Sequence, residues 1–184
     1  MRSLDLLVAP FRALAHELID VVLPSRGVIV RPYNTQRSPW EQARLWRQSR
    51  SRETIEAKIE ELVNADAPTL ATYLRMVGPQ SGKPVTNAPP GLSWHNHGEA
   101  MDCFVLGPHG EAIWTADDPG YVAYAEEAQR LGLTAGRYFK MVDADHVQLR
   151  KEASPNAMYP LAVIDEMMRS KFGLDESQWT SRDA

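Results

Sequence analysis

A chain of 184 residues, 43% hydrophobic and 24% charged, is long enough to bury a core without disulfide or metal staples, and one domain is expected. Its net charge of -4 excludes binding to nucleic acid or anionic membrane by charge alone. The single cysteine, Cys103, excludes an internal disulfide and reads as a small buried hydrophobe; no stretch is long and apolar enough to span a membrane.

Met1 to Leu23 places Leu6, Leu7, Phe11, Leu14, Leu18 and Val21 near helical spacing and carries Asp5, Glu17 and Asp20. That predicts an amphipathic helix rather than a signal peptide, which needs an uninterrupted apolar region and a small-residue cleavage site, so synthesis in the cytoplasm without a signal is expected. A short strand is expected near Val28. Ser38-Pro39-Trp40-Glu41 combines an N-cap serine, proline at the first helical position and glutamate at the third, which predicts a helix from about Pro39 to Arg50. Ile55, Ile59, Leu62 and Val63 predict a helix over Glu53 to Asn64, and another follows from Pro68 to Val77.

Gly78 to Leu92 holds Gly82, Pro84, Pro89, Pro90 and Gly91 and reads as a loop. Ala100 to Leu106 reads as a strand, Gly107-Pro108-His109-Gly110 as a turn with His109 exposed, and Asp118-Pro119 as the start of a helix to about Leu131. In His146-Val147-Gln148-Leu149 the alternation puts His146 and Gln148 on one strand face and Val147 and Leu149 on the other. Ser154-Pro155 predicts a last helix to about Lys171, ended by Gly173. The sum is an α+β fold with a small, mainly antiparallel sheet flanked by helices. Trp40, Trp46 and Trp114 read as core or cleft-wall aromatics, and Glu126-Glu127 and the Arg47 to Glu61 charges as solvated helix faces.

The chemistry concentrates in Ser93-Trp94-His95-Asn96-His97-Gly98-Glu99-Ala100-Met101-Asp102 and in Asp143-Ala144-Asp145-His146. His95, Asp102 and His146 offer two imidazoles and a carboxylate, the set that leaves a fourth zinc position open for water. Asp143, three residues before the last ligand, is a candidate general base. Gly98 and Ala100 are small where bulk would crowd the metal or a substrate backbone. His97, without spacing support as a ligand, reads as a substrate-side or solvent-facing group.

The pattern Ser-x-His-x-x-Gly-x-Ala-x-Asp followed by a carboxylate-x-x-His resembles the zinc peptidases of the D-alanyl-D-alanine carboxypeptidase and L-alanyl-D-glutamate endopeptidase group, which cut peptidoglycan stem peptides. Arg37-Ser38 with Gln42, Val85-Thr86-Asn87-Ala88 and Gly136-Arg137-Tyr138 extend the resemblance over roughly Val28 to Leu149, interrupted by a helical insertion at about 51–83. That insertion could wall a cleft, offer a partner surface or simply pack on the domain.

The resemblance implies a zinc cofactor held by His95, Asp102 and His146, with Asp143 as catalytic base. It implies that Arg37 binds substrate and stabilises the oxyanion, and that Ser93 and Gln42 contact substrate or support those that do. Asp145 stands where many relatives have proline, so two carboxylates compete for the base role; choosing Asp143 requires a turn or bulge just before His146. The partner implied is a peptidoglycan stem peptide, met by a monomer, with no nucleic acid and no membrane insertion. Without a signal, access to the wall implies holin-type release or a place in a phage particle. A noncatalytic zinc-containing wall-binding or structural module is the alternative.

Overall fold

Apolar periodicities of two and 3.6 residues alternate along the chain, and the elements follow them. The computed structural model describes residues 3–177. In chain order these are α1 Ala9–His16, α2 Leu23–Ser25, β1 Val30–Asn34, α3 Pro39–Arg47, α4 Arg52–Asn64, α5 Pro68–Met76 and α6 Trp94–His97. There follow β2 Ala100–Leu106, β3 Ala112–Ile113, α7 Pro119–Arg130, β4 Thr134–Ala135, β5 His146–Gln148 and α8 Leu161–Phe172. The fold is α+β, with an antiparallel five-stranded sheet in the order β1-β2-β5-β4 and β3 paired to the end of β2. Among the described residues no helix is long and apolar enough to cross a membrane.

The chain divides into two compact units, one built from the chain up to Gln36 and from His97–Lys151, the other from Arg37–Asn96 and from Glu152 onward. The first contains the sheet. Along β2 the period of two sends Met101, Cys103 and Val105 into a core shared with Phe11, Leu18, Tyr124 and Val147, so Asp102 faces the other way. Burial pushes the Cys103 thiol up to about 12, as befits a packing residue rather than a nucleophile.

Within the described residues the amphipathic N-terminal helix begins at Ala9; the first two residues of the expected helix, Met1 and Arg2, lie outside them. Leu4–Leu6 form a separate 3-10 turn capped by Ser3, and Pro10 sits in the first turn of α1, where its missing N–H costs nothing. Glu17–Val22 then widen into a π-helical stretch that continues into α2. The wider turn breaks the 3.6-residue phase, so Val21 is 64% exposed while Phe11, Leu18 and Leu23 are fully buried. On α7 the paired glutamates differ from the solvated face expected of them: Glu127 is buried and accepts from Arg26 at 2.7 Å and Arg130 at 2.6 Å.

The second unit is helical. Ser38 Oγ caps α3 by accepting from Glu41 N, but the helix stops at Arg47 because Gln48 turns extended and Ser49 is left-handed at φ 59°. α4 and α5 supply Ile55, Ile59, Leu62, Leu70, Tyr73 and Leu74 to a core with Trp40 and Trp46 of α3 and Ile164, Met168 and Phe172 of α8. Helices α4 and α5 of the segment at 51–83 are therefore packed into this core, while 78–83 stay half-buried or exposed; Trp40 and Tyr73 meet edge-on at 4.9 Å. Each such buried side chain contributes about 1.5–3 kcal/mol. α5 lacks a capping side chain of its own, and the buried carboxylate of Asp165 on α8 accepts from Leu70 N at 2.8 Å instead. α8 starts at Leu161 rather than after Ser154: Pro160 has no N–H and restricts Tyr159, so Ser154-Pro155 opens only the 3-10 turn Pro155–Ala157.

Candidate metal centre

Strand register lines up the first polar residues of the site. β1 places Asn34 opposite Asp102, after a register irregularity between Pro32 and Asn34, and β5 places His146 opposite Asp102 on its other side. Asn34 Nδ2 donates to Asp102 Oδ2 at 2.8 Å, and Asp102 Oδ1 lies 2.9 Å from His146 Nδ1. Gln148, on the same face of β5 as expected, donates from Nε2 to Arg150 O at 2.8 Å, which turns its Oε1 to His146 Nε2 at 3.0 Å. Both ring nitrogens of His146 thus face acceptors, the arrangement that suits an imidazolium. Burial pulls its pKa down, but the hydrogen bond and charge of Asp102, helped by Asp143 and Gln148, outweigh burial and raise it above the ordinary histidine value.

His95 sits in the single turn α6, fastened by its backbone neighbours. Arg37 N donates to His95 O at 3.0 Å, Asn96 Nδ2 donates to Arg37 O at 2.9 Å, and Asn96 Oδ1 accepts from Gly91 N at 2.9 Å. Trp94 Nε1 adds a bond to Glu152 O at 2.7 Å. His95, Asp102 and His146 are all buried, and each offers one ligand atom such that these atoms lie within 4.8 Å of one another. Two imidazoles and one carboxylate at that spacing could hold a metal ion, and the donor set fits zinc.

Gly98 follows α6 at φ 74°, and a Cβ there would meet Leu6 O at 2.9 Å; Val8 N donates to Gly98 O at 3.0 Å. A left-handed backbone and the close N-terminal segment require its smallness.

Before β5 the chain makes the turn that a base at Asp143 requires. Ala144 and Asp145 form it, and His146 N donates to Asp143 O at 3.2 Å. Gly136 makes the turn possible, since a Cβ there would stand 2.5 Å from Asp143 O and 2.9 Å from His146 Cβ. Asp143 and Asp145 line a cavity of about 200 Å³ with Trp114, Ala116, Tyr121, Val142 and Ala144. The Tyr33 hydroxyl donates to Asp145 Oδ2, and the Tyr33 ring packs edge-on against the exposed Trp114 at 5.1 Å. Loss of hydration at the cavity wall and a hydrogen bond with Asp145 push Asp143 up to about 7, against the opposing pull of His146.

Of the remaining predicted residues, Arg37, Gln42 and Ser93 belong to the same unit as His95 and His97 to the other. Arg37 Nη1 donates to Gln42 Oε1 at 2.8 Å, and fully buried Gln42 donates from Nε2 to Ala88 O at 2.7 Å. Gln42 therefore ties Arg37 to the Val85–Ala88 segment rather than facing solvent. Ser93 is half-buried, and its carbonyl accepts from Asn96 N at 2.9 Å. His97 is half-buried.

Asn34, Asn96 and Tyr33 escaped the sequence reading. Asn34 and Tyr33 reach their partners only through strand pairing, which leaves no local signal; Asn96, between two histidines, could have been suspected from its place alone.

No family model and no curated protein matches the chain. Among solved structures, the crystal structure of the Serratia marcescens L-Ala D-Glu endopeptidase ChiX is similar over 80% of this chain and 83% of that one, with 19% sequence identity and a TM-score of 0.41.

Proposed function

We propose that the chain is a zinc metallopeptidase that hydrolyses peptidoglycan stem peptides, in the first instance between L-alanine and D-glutamate, with D-alanyl-D-alanine carboxypeptidase action as the variant reading. The observation that carries the proposal is the buried trio His95, Asp102 and His146, with ligand atoms within 4.8 Å and Asp143 set three residues away across a closed turn. The substrate class rests on the resemblance of the residues around that trio to wall peptidases. Zinc bound there supplies a water whose pKa falls to roughly 7 and polarises the scissile carbonyl.

The chain's own residues do the rest. Asp143 takes the proton of the attacking water and returns it to the leaving amine; its proton affinity near neutrality matches that two-way transfer. Asp145, held by Tyr33, keeps Asp143 in place. Arg37, fixed by Gln42 and by two backbone links to α6, presents its guanidinium to a substrate carboxylate or to the oxyanion.

The test is a paired substitution read on stem-peptide hydrolysis with zinc content measured in parallel. Asp143→Asn should lower kcat about 10²–10⁴-fold with zinc retained, and Asp145→Asn much less. Full activity in Asp143→Asn with loss in Asp145→Asn would reverse the base assignment. A folded, zinc-loaded wild type that cleaves no stem peptide would make the chain a noncatalytic zinc-containing wall module.

A further inference from the structure

The sequence Arg47-Gln48-Ser49-Arg50-Ser51-Arg52 reads as solvated charge, but the structure gathers its arginines around a concavity. Arg47, Arg50 and Arg52, with Ile55, Glu56, Pro79 and Gln80, line a cavity of about 300 Å³ in the helical unit. Three guanidiniums against one carboxylate make it strongly positive in a chain whose net charge is -4.

Two of the guanidiniums are fixed in place. Arg47 Nη1 donates to Leu74 O at 2.5 Å, and its buried Nε has no hydrogen-bond partner among the described residues. Arg50 donates to Trp46 O and, from Nη2, to Thr86 O at 2.9 Å, with its guanidinium stacked 4.3 Å over the Trp46 ring. These bonds use only part of a five-donor fork, so oriented donors remain at sites whose conformational entropy is already spent.

The third is uncommitted. Arg52 opens α4 behind the Ser51 cap, is exposed, and makes no hydrogen bond or ion pair among the described residues. Its N-terminal position adds the positive end of a thirteen-residue helix to the same face. Ile55 and Pro79 supply apolar walls that fit a short aliphatic body beside the charged group.

We propose that this cavity is an oxyanion-binding site, recognising a carboxylate or phosphate through Arg47, Arg50 and Arg52. The oxyanion has two possible sources, a carboxylate carried on a short aliphatic body or a phosphate group. A planar guanidinium matches the paired oxygens of either. Nothing in this site uses the metal ligands, so it stands or falls apart from the proposed peptidase activity.

The experiment is calorimetric titration of the full chain with inorganic phosphate and, separately, with glutarate, at ionic strength held constant with sodium chloride. Saturable one-site binding of either anion, weakened tenfold or more in Arg52→Gln, is the expected result. Phosphate binding alone would assign a phosphate source, glutarate binding alone a carboxylate source. Circular dichroism should show Arg52→Gln folded, since the side chain it removes is exposed and unpaired. No saturable binding of either anion up to ~20 mM, or binding that Arg52→Gln leaves unchanged, would overturn the proposal.

Discussion

Uptake of a divalent cation by His95, Asp102 and His146 should expel at least one proton. Asp102 Oδ1 and Gln148 Oε1 both lie as acceptors towards the His146 ring, which favours its imidazolium form, and a metal ligand must be neutral. Below the raised pKa of His146 about one proton should leave per cation. Each proton makes apparent affinity rise about tenfold, or 1.4 kcal/mol, per pH unit in that range. Titration with zinc in two buffers of different ionisation enthalpy reads the proton count from the difference in heat. Gln148→Met removes one acceptor, lowers the His146 pKa and should reduce the count at pH 6.5. Zinc binding without proton release at pH 6, or an unchanged count in Gln148→Met, would refute the imidazolium assignment.

Folding stability without the cation should run the opposite way with pH. The raised His146 stabilises the fold fully below its unfolded value of about 6.5 and loses that contribution as the pH rises through its folded pKa; the raised Asp143 carboxyl is likewise penalised as the pH climbs from about 4 to 7. Denaturation of chelator-treated protein should give lower stability at pH 8 than at pH 6, and the reverse order would contradict both shifts. Asn34→Ala removes the donor that orients Asp102 and should weaken zinc affinity about 10–100-fold by competition titration; unchanged affinity would remove Asn34 from the site. Gly136→Ala drives a methyl into Asp143 O and should cost about 1–3 kcal/mol by urea denaturation while lowering any hydrolytic rate, whereas a stable, active variant would show that the turn has slack. Asp165→Ala strands Leu70 N in the helical core and should cost about 1–3 kcal/mol with zinc affinity intact; a loss of zinc binding instead would tie that core to the metal site.

What was legible in the sequence had a period or a fixed spacing. The strand at Ala100–Leu106 follows from a short, mainly apolar run, the helix at Pro39 from its capping box, and the candidate cluster His95, Asp102 and His146 from metal-ligating residue types gathered in two short runs. The α+β class, with a small antiparallel sheet, followed from those elements and matches the structure. What the sequence left hidden depends on contacts between distant segments. Asn34 meets Asp102 only through strand register, Glu127 is buried against Arg26 as well as its helix neighbour Arg130, and Arg47 and Arg50 are half-buried through bonds to Leu74 O and Thr86 O of distant segments. The N-terminal helix was misplaced because a 3-10 turn and a π stretch interrupt a pattern that a uniform 3.6-residue period cannot represent.

The most direct test is to incubate zinc-loaded protein with purified peptidoglycan and defined stem peptides, with and without a chelator, and to identify products by mass spectrometry. Zinc-dependent release exposing a new D-glutamate amino terminus is the predicted result, and loss of terminal D-alanine would move the scissile bond while keeping the peptidase. A folded, metal-loaded protein that yields no chelator-sensitive product from any of these substrates would contradict the account.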